Sequence, residues 1–274
     1  MHLEFEPLSL LNLEALVDLL NRGFSDYLVP IQFSAASLLQ MVVRDGVDVT
    51  CSSVVRRDGE PVGAAMIARR GWSGRLAGMA LVPEARGQRI GTWLVERLIE
   101  EARGRGERRM VLEVIDENEP AIHLYERAGF RTTRRLLSYS GAPAAGEQER
   151  DLFEIDMHEL AHKVINWGLP DLPWQISGES LTATGPPNRA YRLGDAYVAI
   201  ADPARPAIGI LSLMVAPEAR GRGLGARILR AVFAAHPDKR WGMPALCPEE
   251  VGPIFEHVGL ERGPLAQLQM ALEL

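Results

Sequence analysis

The chain has 274 residues, 47% of them hydrophobic and 24% charged, and a net charge of −6. That length leaves one large domain or two modest ones open, and the acidic balance argues against a nucleic-acid surface built from excess base. No run of eighteen apolar residues occurs, so no membrane span is expected; the opening Met1-His2-Leu3-Glu4-Phe5-Glu6 is acidic and alternating, unlike a secretory leader, which predicts a cytoplasmic protein.

From the N-terminus, Leu3 and Phe5 alternate as a short strand. Leu13, Leu16, Val17 and Leu20 then recur at helical spacing until Gly23, and Ser34 caps a second helix carrying Leu38, Leu39, Val42 and Val43 before Gly46. Strands are expected over 47–56, 61–69 and 75–82, with Asp58-Gly59 as a hairpin turn. A glycine-rich turn leads into a helix with Leu94, Val95, Leu98, Ile99 and Ala102, closed by Gly104. A strand over 109–115, a helix opened near Pro120 and a strand from Phe130 follow. Ser140 to Gly146 is a run of small residues and turn formers, either a hairpin tip or the start of a linker, which sets a boundary near 140–156. Asp156 with Glu159 resembles a capping box before a helix ended by Gly168 and Pro170.

One stretch of this chain occurs twice. Leu81-Val82-Pro83-Glu84-Ala85-Arg86-Gly87-Gln88-Arg89-Ile90-Gly91 returns as Val215-Ala216-Pro217-Glu218-Ala219-Arg220-Gly221-Arg222-Gly223-Leu224-Gly225, with five consecutive identities. An apolar run precedes each copy, and a helical pattern follows it, the second with Ile228, Leu229, Val232 and Phe233. Further on, Leu124-Tyr125-Glu126-Arg127-Ala128-Gly129-Phe130 aligns with Ile254-Phe255-Glu256-His257-Val258-Gly259-Leu260. Two homologous domains are expected, over 1–150 and 151–274, the second reduced because no clear match to the paired helices at 10–22 and 35–44 is found.

Arg-Gly-x-x-x-Gly between a buried strand and a helix turns several backbone N–H groups toward one place, where the helix dipole adds positive charge, so the loop suits phosphate. Glycine allows the main chain to approach a diphosphate closely. The Walker ending Gly-Lys-Ser/Thr is missing, and the Rossmann Gly-x-Gly-x-x-Gly spacing does not follow a strand. Cys51 and Cys247 are far apart and have no neighbouring Cys or paired His, so neither a disulfide framework nor a zinc site is expected. His158 and His162 lack the intervening Glu of the zinc-protease pattern, and no metal is implied.

The strand ending Val-Pro-Glu-Ala-Arg-Gly-x-x-x-Gly, then Leu112-Glu113-Val114, then Asn118-x-x-Ala121-x-x-Leu124-Tyr125-x-x-x-Gly129-Phe130, resembles the GNAT superfamily of acyl-CoA-dependent N-acyltransferases. The resemblance covers residues 1 to about 140 and implies an α/β fold of the α+β type. Two GNAT-like domains are then expected, each a mixed, mostly antiparallel, splayed sheet flanked by helices. It implies acetyl-CoA or a similar thioester as acyl donor, the N–H groups of Leu81 and Val82 freed by a bulge to hold the thioester carbonyl and pantetheine, and the pyrophosphate cradled by Arg86, Gly87, Gln88, Arg89, Ile90, Gly91 and Thr92. Asn118 is expected on the pantetheine arm and Tyr125 beside the sulfur as general acid. Glu113, twelve residues before Tyr125 on the adjoining strand, is either the general base or a strand carboxylate facing solvent or paired with an arginine.

Two departures from the family pattern stand out. Arg89 occupies the place of a middle glycine; the second copy has Arg220, Gly221, Gly223 and Gly225 in order but Phe255 for the tyrosine and Pro248 for the asparagine. Phenylalanine donates no proton, so the second domain is expected to be structural. The alternative to an N-acetyltransferase is a non-catalytic CoA-binding or interaction module derived from one. The resemblance implies a small-molecule or peptide amine as acceptor, with Phe24 to Phe33, including Tyr27, expected on its side of the cleft; monomer and homodimer both remain open.

Overall fold

The structure is a computed structural model that describes residues 2–143, 146 and 148–274. The small-residue stretch Ser140–Gly146 therefore falls partly outside the described residues, at Ala144 and Ala145. The chain divides into two compact units, Met1–Thr133 with Leu268–Leu274, and Arg134–Gln267.

The first unit opens with β1 (Leu3–Pro7) and two helices, α1 (Leu13–Gly23) and α2 (Ala35–Asp45). Asn12 caps α1 by accepting from the Ala15 N–H at 2.8 Å, and Ser34 and Ser37 form a reciprocal capping box at the start of α2. Gly46 closes α2 in the left-handed region at φ 68°. The strand expected from residue 47 begins later, as β2 (Ser53–Arg57), because Asp48 accepts from the N–H groups of Thr50 and Cys51 and bends the chain there. β3 (Glu60–Arg70) and β4 (Ser73–Leu81) continue an antiparallel meander. α3 (Ile90–Gly104) then crosses to β5 (Arg109–Ile115), which pairs parallel with β4, and α4 (Glu119–Arg127) follows. α3 buries Leu94, Val95, Leu98 and Ile99, the face that its spacing gave in the sequence.

β6 (Arg131–Gly141) carries the chain from the first unit into the second. There β7 (Phe153–Ile155), α5 (Met157–Trp167) and the one-turn α6 (Gly178–Thr182) precede β8 (Arg189–Leu193), β9 (Ala196–Ile200) and β10 (Ala207–Val215). α7 (Leu224–Ala235) crosses to β11 (Arg240–Pro248), parallel to β10, and α8 (Gly252–His257) leads to the last strand, β12 (Glu261–Glu273). Each pairing of the first unit has its counterpart: β7 with β8 as β1 with β2, then β8 with β9, β9 with β10 and β10 with β11. α5 contacts β9, β10 and α6 as α1 contacts β3, β4 and α2. The second unit thus has both front helices, and its reduction is confined to α6, five residues against eleven in α2.

The units exchange their final strands. Arg134–Gly141 of β6 belongs to the second unit, where it pairs antiparallel with β11, and Leu268–Glu273 of β12 belongs to the first. Ser138 Oγ donates to the Leu265 carbonyl at 2.6 Å within the second unit, and Thr133 Oγ1 to the Gln269 carbonyl at 3.2 Å within the first. The spatial division therefore falls at Thr133/Arg134 and takes back the C-terminus, whereas the sequence led to a boundary near 140–156. A β-strand satisfies its hydrogen bonds from whichever matching edge is offered, so the partner of β6 is a property of the tertiary structure and not of its own residues.

The second core is built around Val198, Ile200, Ile210, Ile228, Val232, Phe233 and Phe255. Among the described residues no helix is long and apolar enough to cross a membrane.

Candidate active site

The site of the first unit starts from a register shift. β3 and β4 pair Met66 with Gly78 but Ile67 with Leu76, so Ala77 is an extra residue and forms a β-bulge. β4 pairs with β5 only over Ser73–Leu76, and beyond the bulge the two strands are not paired. The Val82 N–H donates to the Val62 carbonyl at 3.0 Å. Alternation along an antiparallel strand then turns the amides of Leu81 and Met79 away from β3, toward the open side. The Leu81 N–H thus faces outward, the Val82 N–H is used by the sheet, and the second outward amide is that of Met79. The resemblance implied a bulge but not its position, and so not the parity of the strand beyond it.

Beyond β4, Pro83–Ala85 form a turn of 3₁₀ helix, Gly87 has φ 72° and Arg89 has φ 62°. These left-handed residues turn the chain abruptly into α3, whose first N–H groups have no partner within the helix. A cleft of about 670 Å³ lies between these parts. Met79, Leu81, Arg86, Gly87, Arg89, Ile90, Gly91, Thr92 and Asn118 line it, together with Asp26 and Tyr27 from the segment after α1. A thioester carrier fits this arrangement: outward strand amides, a tight turn with a left-handed glycine, and a helix N-terminus share one cleft.

Arg86 is spent on the protein itself. Its Nε donates to the Leu81 carbonyl at 3.0 Å, Nη1 to Asp26 at 2.7 Å and Nη2 to the Gly23 carbonyl at 2.8 Å, tying the end of α1 to the end of β4. The hydrogen bond from Arg86 holds the Asp26 carboxyl below its ordinary range. Gln88 faces elsewhere, bridging the Glu84 carbonyl and Arg57, and is not among the cleft residues. Arg89 is exposed.

Asn118 caps α4, its side chain accepting from the Ala121 N–H. Burial raises the Tyr27 phenol, partly offset by nearby Asn118. Tyr125 is buried with its ring 5.9 Å from Phe130, behind the cleft surface rather than among its lining residues. Burial pushes its phenol well up, and nearby Tyr27 adds to the shift. The hydroxyl is thus a proton donor at neutral pH.

Glu113 lies apart from the cleft. Its Oε2 accepts from Arg75 Nε and Nη2, both at 2.8 Å, and Arg75 also reaches Asp45 at 3.5 Å. Both side chains are nearly sealed, at 2% and 5% exposure. Of the alternatives the sequence left open, pairing with an arginine is the one this geometry realises. Arg75 escaped sequence reasoning because an arginine in a strand carries no signal of the carboxylates it will meet.

Residues 13–130 match the acetyltransferase (GNAT) family. N-alpha-acetyltransferase 30 of Schizosaccharomyces pombe is 41% identical over 66 residues, 24% of this chain and 44% of that protein. Streptothricin acetyltransferase of Streptomyces lavendulae is 38% identical over 78 residues, 28% of this chain and 41% of that protein. The chain thus spans under half the length of these curated relatives. Over nearly its whole length the fold is that of a tandem GNAT protein from the clavulanic acid biosynthesis pathway, with a TM-score of 0.66 at 16% identity, covering 99% of this chain and 98% of that one. Residues 13–130 thus match the acetyltransferase (GNAT) family, and the chain over nearly its whole length has the fold of a tandem GNAT protein.

Proposed function

We propose that the first unit moves an acyl group, acetyl in the simplest case, from acyl-CoA directly to an amine. The observation that carries this reading is the bulge at Ala77, which aims the Met79 and Leu81 amides into the cleft beside the glycine turn and the start of α3. The two amides hold the thioester carbonyl and stabilise its oxygen as it gains charge, the preorganised part of catalysis. The amides of residues 87–92 hold the diphosphate, Asn118 orients the pantetheine arm, and Arg89 adds a cation beside the phosphates.

As the C–N bond forms and the C–S bond breaks, Tyr125 passes its proton to the departing sulfur, and the phenol is restored by the proton that the attacking amine loses. A phenol is protonated at neutral pH, the form a general acid needs. Glu113, bound to Arg75, serves as a buried brace between β4 and β5 rather than as the base. Glu117 lines the cleft and is the carboxylate open to an incoming ammonium.

The acceptor is a small-molecule or peptide amine that enters beside Tyr27, Phe24 and Leu28. The two curated relatives are named for Nα-acetylation and for streptothricin, so both classes belong in the test. Thiol release from acetyl-CoA is measured against a panel of peptide N-termini, lysine, polyamines and aminoglycoside-like amines. Turnover with one class, lost in Gly91→Trp, is expected; no amine-dependent release with any class contradicts the reading.

A further inference from the structure

We propose that the acceptor of the first unit is a primary amine with a single positive charge beside an apolar group, and that polycationic amines are selected against. The proposal rests on the reading of the first cleft as a site of acyl transfer and names the class of amine served there. It starts from the segment between α1 and α2. The Asn21 side chain accepts from the Phe33 N–H at 2.7 Å and donates to the Phe33 carbonyl at 3.0 Å, which closes residues 21–33 into a fixed loop. Within that loop Phe24 meets Tyr27 edge-on, with ring centroids 5.2 Å apart, and lies 6.0 Å from Phe33. Asp26 accepts from Arg86 at 2.7 Å and so ties the loop to the end of β4.

The aromatic packing leaves Leu28 outside. Leu28 lines the cleft with Phe24, Tyr27 and Met79, yet it is 53% exposed. A fixed apolar wall of this kind gains free energy when an apolar group of the ligand covers it, and a hydrated polar group gains nothing there.

Charge narrows the class further. Of the charged side chains lining the cleft, Asp26 and Arg86 are closed on each other, and His123 faces Glu126 at 3.6 Å. Arg89 and Arg127 are cations and suit the phosphates of the carrier. Glu117 is exposed and engaged by no hydrogen bond or ion pair among the described residues. One carboxylate is therefore left for one ammonium. The further ammonium groups of a polyamine would lie against Phe24, Leu28 and Met79, where they lose water and meet no counter-charge.

The test is steady-state thiol release from acetyl-CoA by the full chain with phenethylamine, a tripeptide amide beginning with leucine, ethanolamine and spermidine. The better of the two apolar amines is expected to exceed both ethanolamine and spermidine ~10-fold or more in kcat/KM. Whichever of the two it is identifies the source as a free amine or a peptide N-terminus, and either upholds the class. In Leu28→Ser the advantage over ethanolamine is expected to shrink about 3- to 10-fold. Leu28→Glu supplies a second carboxylate, so kcat/KM for spermidine relative to ethanolamine is expected to rise about two- to fivefold, a gain that misfolding does not produce. Spermidine or ethanolamine as the best acceptor of wild type, or equal rates with all four amines, overturns the inference and leaves acyl transfer standing. An apolar advantage that survives intact in Leu28→Ser overturns the assignment of the wall. No amine-dependent release with these four or with the wider panel overturns the inference and the transfer reading together.

Discussion

Arg75 and Glu113 face each other across the parallel pair β4 and β5, joined by two hydrogen bonds of 2.8 Å and almost wholly withdrawn from water. Removing Glu113 leaves the buried Arg75 with only its longer contact to Asp45, at 3.5 Å, whereas the intact pair roughly offsets its own desolvation. Glu113→Gln is therefore expected to destabilise the chain by about 3 kcal/mol in urea unfolding, with the pH dependence of kcat/KM unmoved. Loss of the acid limb of that profile at unchanged stability would instead make Glu113 the base.

Tyr125 separates chemistry from packing, because the second unit buries a phenylalanine at the same position. Tyr125→Phe is expected to lower kcat about 10² to 10⁴-fold with little change in melting temperature and in donor affinity. Single-turnover thiol release under saturating donor measures the step directly. Turnover equal to wild type would remove Tyr125 as the acid.

Arg89 adopts φ 62° without being glycine, and a left-handed L-residue of this kind costs roughly 1–2 kcal/mol. Glycine relieves this but widens the unfolded ensemble, so Arg89→Gly is expected to stabilise the chain by a net ~0.5–1 kcal/mol. Loss of the exposed cation should raise the donor KM about two- to fivefold. Thermal melts and donor titrations on the same samples check both halves.

The glycine turns, the long repeat and the Asn118-to-Phe130 motif were legible because each is a local pattern whose chemistry depends on residue type. What escaped depends on partners. Val82 and Met79 differ only in parity relative to Ala77, and parity appears once β3 is laid beside β4. α5 was not seen as the equivalent of α1, since their residues share only amphipathicity. The relation emerges from Arg220, whose Nε donates to the Val215 carbonyl at 3.2 Å and whose Nη2 donates to the Trp167 carbonyl, as Arg86 does to Leu81 and Gly23. The exchange of β6 and β12 was invisible for the same reason.

Stability should fall at both ends of the pH scale. His236, beside the Tyr191 hydroxyl at 2.9 Å, is held below its ordinary value of 6.5 by burial and then by Arg189 and Lys239. The unfolded chain takes up its proton first, so stability present above 6.5 is lost as pH falls below it. The Tyr139 phenol is pushed up to about 12 by burial, with Glu256 adding to the shift. Here the unfolded chain loses its proton first, and stability present below pH 10 is lost as pH rises toward 12. Melting temperatures across pH are expected to flatten on the acid side in His236→Gln and on the alkaline side in Tyr139→Phe. Slopes identical to wild type would contradict these assignments.

A crystal structure of the full chain with coenzyme A bound is the most direct measurement. The sulfur is expected within hydrogen-bonding reach of the Tyr125 hydroxyl, the pantetheine along Met79 and Leu81, and the diphosphate on the amides of residues 87–92. A first cleft closed by the Arg89 side chain, with coenzyme A bound only in the second unit, would contradict the assignment of the transfer site.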